Sequence, residues 1–211
     1  MTPKIISTDQ WLVAAKLRRS VYNLTGTSSV SDSRIENILQ QVLSFAPSSY
    51  NTQPVRLNLI TGEKHKQFWD TIIKTAEPIL KDVGEGIWHT MGALMESQKA
   101  AYGSVVFWER GDTIREASET HKSAAHMIPQ LGDHANGMAQ ILAWTALELE
   151  GLGASLQHMQ AIPVVETALR EFCGMPDDCS LKAHLTFGDI AGDHPIMPDK
   201  LPFSETLKII K

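Results

Sequence analysis

The chain has 211 residues, 43% of them hydrophobic, and a formal net charge of −5 at pH 7, enough for one domain that buries about 70% of its unfolded surface. The acidic balance and the lack of any Lys or Arg run exclude an electrostatic grip on nucleic acid or on an anionic membrane. Cys173 and Cys179 are the only cysteines, too few for a secreted disulfide framework and not spaced as C-x-x-C, so a reducing cytoplasm is expected.

Neither a basic leader followed by an apolar run nor a stretch of about 18 apolar residues occurs, so neither export nor anchoring is expected. Residues 9–19 place Trp11, Leu12 and Ala15 on one helical face and end in Lys16, Arg18 and Arg19, cations suited to a helix C-terminus. Ser33-x-x-Glu36 reads as a capping box, and Ile35, Ile38, Leu39, Val42, Leu43 and Ala46 then repeat at helical spacing. Pro47 ends that helix, and Val55, Leu57 and Leu59 alternate as a strand. Phe68, Trp69, Ile72 and Ile73 share one face of a core helix over 63–75. Pro78 and Gly84-Glu85-Gly86 predict short helical pieces beyond it, with Trp88, Met91, Leu94 and Met95 as a stripe that either packs in the core or covers a ligand.

Ser104 to Glu109 is the continuous apolar run of a central strand buried on both faces. Residues 110–132 are polar and broken, which predicts a surface excursion bordering a substrate opening. Its His121 and His126 show no metal-ligand spacing, and no zinc site is expected. A long helix follows over 133–150, marked by Met138, Ile141, Leu142, Thr145 and Leu149, with Ala135, Ala139, Ala143 and Ala146 allowing close approach by another helix. Pro163 opens a helix that Gly174 stops, Ala183, Leu185 and Phe187 form the last clear strand, and the Gly- and Pro-rich tail is extended loop. Helices and isolated strands mixed along one chain predict a single α+β domain over 1–211.

Three stretches carry chemistry. Arg18-Arg19-Ser20 joins two guanidiniums to a hydroxyl, which can hold a phosphate through paired charge-assisted hydrogen bonds or can be a solvated charge cluster at a helix end. Pro47-Ser48-Ser49-Tyr50-Asn51-Thr52-Gln53-Pro54 sets two hydroxyls and two carboxamides between prolines, a donor and acceptor mix that matches the edge of a flavin or nucleobase. Gly151-Leu152-Gly153-Ala154-Ser155-Leu156-Gln157-His158 reads as a loop of small residues leaving a helix. It either exposes backbone to a flat cofactor or merely stops the helix and turns. Gly151-x-Gly153 follows a helix and lacks a third glycine, so no Rossmann unit is expected.

In this order and spacing the three motifs resemble those of the nitroreductase family of FMN-dependent oxidoreductases. Trp144-Thr145-Ala146-Leu147-Glu148 running into Gly151 to His158, with Asn136-Gly137-Met138-Ala139-Gln140, is similar to the fungal fatty-acid-repression-mutant subgroup and its bacterial relatives. The resemblance implies a central mixed or antiparallel sheet covered by helices and a homodimer with non-covalent FMN in clefts at the subunit interface. It also implies hydride transfer from NAD(P)H to nitroaromatic, quinone or related acceptors, with the chemistry at flavin N5 and no catalytic side chain. The alternative is a non-catalytic FMN-binding module for redox regulation or flavin storage. By the same resemblance Arg18, Arg19 and Ser20 hold the phosphate and pyrimidine edge, Pro47, Ser48, Ser49, Asn51 and Gln53 reach a flavin from the partner subunit, and Gly153, Ala154, Ser155 and Leu156 lie along the ring. Lys200 takes the place of the family's C-terminal phosphate cation. Val55 and Met159 stand where the family and the subgroup, respectively, have an aromatic residue.

Overall fold

A computed structural model describes residues 6–211. Four strands, β1 (Val55–Thr61), β2 (Gly103–Arg110), β3 (Leu152–Gln157) and β4 (Cys179–Asp189), form one sheet in the order β1-β2-β4-β3 with every pair antiparallel. Among the described residues eight α-helices accompany it: α1 (Thr8–Leu17), α2 (Asp32–Phe45), α3 (Gly62–Val83), α4 (Glu85–Lys99), α5 (Gly111–Thr120), α6 (Ile128–Leu149), α7 (Pro163–Phe172) and α8 (Phe203–Thr206). This is the expected α+β architecture. None of the described helices is long and apolar enough to cross a membrane.

β2 explains the layering. Its side chains alternate between two cores, Val105 and Phe107 on one face of the sheet, Val106 and Trp108 on the other, all with no exposed surface. The first core is closed by α2, through Ile35, Ile38, Leu39 and Val42, and by α6. The second is closed by α3, α4 and α7, through Phe68, Trp69, Ile72, Met95, Val165 and Leu169. A strand buried on both faces has no polar positions to alternate, hence the unbroken apolar run. Met95 is thus core, and Trp88 lies under Lys81 and against Gly92 of its own helix hairpin.

Several expected boundaries move for identifiable reasons. The cap of α2 is Ser31, whose hydroxyl accepts from the Arg34 N–H, so Ser33 lies inside the first turn. Pro78 does not break α3, which runs on to Val83 and stops at Gly84. Residues 110–132 are not irregular: they form α5, a 3₁₀ turn over Lys122–Met127 and the start of α6, with Pro129 in the first turn where its missing N–H costs nothing. α6 turns its alanines inward. Ala135, Ala139 and Ala143 are buried against the sheet, while Met138, Ile141 and Leu149, read from sequence as helix-marking apolar positions, face outward with Leu149 58% exposed.

The largest difference falls on 151–158. Only Gly151 takes a positive φ, 92°, ending α6 as expected, and the next six residues are strand β3 in place of a loop. Gly153 is there for packing within the chain. A Cβ on it would lie 2.8 Å from Ile190, 2.9 Å from Leu24 and 3.0 Å from Val21. Gly153→Ala is accordingly expected to cost about 1–3 kcal/mol by overpacking. An unchanged thermal midpoint would contradict this packing role.

Candidate functional site

α1 stops at Leu17, and the backbone of Arg18 is already extended, so Arg18-Arg19-Ser20 leaves the helix as a strap instead of as its last turn. The strap lies along β3: Ser20 makes a parallel bridge with Ala154, and the Val21 N–H donates to the Ala154 carbonyl at 2.9 Å. The structure therefore brings the first and third motifs together. Because strand residues alternate between ladder and edge, the bond from Val21 places Ala154 and Leu156 on the edge facing away from β4. The strap covers Ala154, and among the described residues nothing pairs with the Leu156 N–H on the open edge.

Side chains converge beside the strap on a cavity of about 500 Å³ lined by Lys16, Arg18, Arg19, Ser20, Pro198 and Lys200, among others. Among the described residues four cations and no carboxylate line it, an arrangement that favours an anion. Arg19 donates through one terminal nitrogen to the Arg18 carbonyl at 2.6 Å, which orients its fork, and its Nε is buried without a partner. The Arg18 guanidinium carbon sits over the indole of Trp144, 4.2 Å from the ring centroid. Burial first, then the charge of Arg19, hold the Arg18 guanidinium below its ordinary value, with Glu148 pulling the other way. Trp144 and Glu148 sit one turn apart on α6, and the His194 ring is hydrogen-bonded to Glu148. Sequence reasoning missed Lys16 as a lining residue and the roles of Trp144, Glu148 and His194. The i,i+4 spacing of Trp144 and Glu148 is the one signal that could have suggested a shared face.

The second motif lies elsewhere on the chain. Pro47, Ser48 and Gln53 border a separate hollow of about 230 Å³ with Val55, Arg56 and Ala135, and the two cavities share no lining residue. Its loop holds an uncommon conformation: Tyr50, Asn51 and Gln53 all have φ between 52° and 54°, a left-handed region that non-glycine residues enter at a cost. Ser48 supports it, its hydroxyl accepting from the Gln53 N–H at 2.9 Å and its carbonyl from the Asn51 N–H at 3.0 Å. Among the described residues the side chains of Ser49 and Asn51 have no hydrogen-bond partner, and Tyr50 stacks on His121 at 3.8 Å between ring centroids. Ser155 points the other way. Its hydroxyl is fully buried and donates to Gln98, and its backbone faces the β4 ladder, so the expected Ser155 contact to the ring has neither a free hydroxyl nor an open-edge amide behind it.

The donor set fits a flavin mononucleotide. Cations with an unmet guanidinium N–H suit a phosphate, and an open strand edge suits the rim of a flat ring. Within one chain, however, the polar loop at 47–54 does not reach the cationic cavity.

Comparison with known proteins bears on what such a site does. The sequence model described as "Nitroreductase family" matches residues 15–189. HBN1 of Saccharomyces cerevisiae, whose name places it among nitroreductases, is 30% identical over 182 residues, 84% of this chain and 86% of its own length. The nitroreductase FRM2 of the same yeast is 29% identical over 204 residues, 94% and 93% of the two chains. Among solved structures, the nitroreductase CinD from Lactococcus lactis in complex with 4-nitrophenol superposes with a TM-score of 0.80 at 26% identity, covering 95% of this chain and 100% of its own.

Proposed function

The chain belongs to the nitroreductase family, which makes it an oxidoreductase, and from that premise we propose that it is an FMN-dependent enzyme passing hydride from NAD(P)H to nitroaromatic, quinone or related acceptors. One observation carries the reading: the cavity of Lys16, Arg18, Arg19 and Lys200 lies beside the open edge of β3. When bound, FMN supplies the redox chemistry at its N5. The chain's own part is to hold the phosphate on Arg18, Arg19, Ser20 and Lys200, and to present the Leu156 N–H to the ring. A cation near the pyrimidine edge favours the negative charge of reduced flavin. That CinD was solved with 4-nitrophenol, a nitroaromatic, supports this acceptor class.

The site is completed by a second copy of the chain. Ser48, Ser49, Asn51 and Gln53 are then contributed by the partner, which accounts for a polar loop held in a costly conformation away from the cationic cavity of its own chain. The surface suits such an assembly. Trp11, Leu12 and Val13 of α1, Met138, Ile141 and Leu149 of α6, and Phe203 and Ile210 of the tail are all exposed, more apolar surface than a monomer ordinarily leaves wet. Light scattering is expected to give a dimer, and Ile141→Glu is expected to release monomers that lose FMN. A wild-type monomer with full activity at assay concentrations would contradict the composite site.

Without a Rossmann unit the nicotinamide has no separate site, so reductant and acceptor share one face of the flavin in turn. Varying NAD(P)H against a nitroaromatic or a quinone should therefore give parallel double-reciprocal lines. Intersecting lines would show both bound at once and refute the shared face.

A further inference from the structure

Beneath β3, on the face away from Ala154 and Leu156, lies a layer of polar side chains where a core would ordinarily be apolar. Ser155, Gln98, His65, Ser104 and Thr186 are buried to 1% exposure or less. All but Thr186 form a directed chain that ends at Gln157. Ser104 donates to His65 Nδ1 (3.2 Å), His65 Nε2 donates to the Gln98 backbone carbonyl (3.0 Å), and Ser155 donates to Gln98 Oε1 (3.0 Å) while accepting from Gln157 (3.1 Å). Burial lowers His65 to about 4, so the ring is neutral at physiological pH and its one N–H can serve that single direction. The chain thus links α3, at His65, through the last turn of α4, at Gln98, to β3, at Ser155.

Stability alone does not account for this layer. Among the described residues Gln98 Nε2 and Thr186 Oγ1 are buried without partners, although Thr186 stands in register between Ser104 and Ser155, and an unmet buried polar group costs about 1–3 kcal/mol. An apolar layer would avoid that cost, whereas hydrogen bonds of fixed length specify position as hydrophobic contacts do not. β3 has a reason to need it. It is the edge strand, with β4 on one side and only the short strap at Ser20 and Val21 on the other.

We propose that Gln98 is a positioning residue for the flavin chemistry: by gripping the Ser155 hydroxyl it fixes the open edge of β3, and so the backbone N–H that meets N5. This rests on the flavin reading above. Its alternation is direct, since a shift of Ser155 along or away from Gln98 carries the Leu156 N–H with it.

The test uses the full-length holoprotein reconstituted with FMN labelled with ¹⁵N at N5, whose resonance reports hydrogen bonding there. Gln98→Met and Ser155→Ala are expected to retain FMN within about threefold of the wild-type dissociation constant, to displace the N5 resonance, and to slow flavin reduction by NADH about tenfold. Ser155→Thr, which keeps the hydroxyl, should leave the resonance near its wild-type place. The double variant Gln98→Met/Ser155→Ala removes the Gln98 amide that Ser155→Ala alone leaves unmet, with the Gln157 amide stranded equally in both, so it should regain thermal stability relative to Ser155→Ala while the N5 signal stays displaced. An N5 resonance unmoved in both single variants, or one that returns together with stability in the double, would overturn the proposal. Failure of the flavin reading would look different, as wild-type protein that takes up no FMN.

Discussion

Replacing Arg19 with alanine is expected to weaken FMN binding by about 2 kcal/mol, roughly thirtyfold, the size of a lost hydrogen bond to a charged group. The expectation comes from geometry. The Arg19 fork is held by the Arg18 carbonyl, and among the described residues its Nε is buried without a partner and the cavity it lines with Lys16, Arg18 and Lys200 has no carboxylate to compete for it. Arg19→Lys keeps the charge and loses the planar fork, so it should fall between wild type and alanine. Arg18→Ala removes the stack on Trp144 as well as a charge and should weaken binding at least as much. Fluorescence titration of apoprotein measures each constant. A dissociation constant for Arg19→Ala equal to the wild type would remove Arg19 from the site.

Acid is expected to destabilise the protein well before its carboxylates protonate. His184 is fully buried against Phe68 and Trp69 with neither ring nitrogen hydrogen-bonded, and burial lowers it to about 3, as it lowers His65 to about 4. Both folded values lie below the usual 6.5. Below that pH the unfolded chain takes up protons that the folded chain refuses, so stability falls as the pH drops from about 6.5 toward the folded values. Between neutrality and about pH 5 each histidine should remove about 2 kcal/mol. His184→Leu should abolish its share of that slope and add stability at neutral pH by deleting two unmet polar atoms. Urea unfolding at both pH values checks this, and parallel losses in wild type and variant would contradict it.

Much of the fold was legible because burial is periodic. α2, β1, β2, α7 and β4 follow from where Ile, Leu, Val and Phe recur, since each element has at least one face in a core. β3 was not legible. Leu-Gly-Ala-Ser-Leu-Gln carries no β-branched residue and reads as a loop, because its small side chains are set by what crosses it, Val21, Leu24 and Ile190 over Gly153. Local propensity cannot encode a contact with a strap more than a hundred residues away in the chain. The faces of α6 were legible only as a choice. Large apolar residues ordinarily mark the core side, but here Ala135, Ala139 and Ala143 share the buried face with Leu147, while Met138, Ile141 and Leu149 face out. Of the site, Arg18, Arg19, Ser20 and Lys200 do line one cavity, whereas the meeting of Lys16 with Lys200 depends on a fold-back of the tail that no spacing announces.

The most direct measurement is the visible spectrum of the purified protein, followed by mass analysis of whatever heat denaturation releases. Phosphate cations without an evident covalent attachment point predict the two-banded absorbance of oxidised flavin, lost from the protein on heating and recovered in the supernatant as FMN, at one per chain. A colourless protein that takes up no FMN, colour that stays with the denatured pellet, or release of FAD in place of FMN would contradict it.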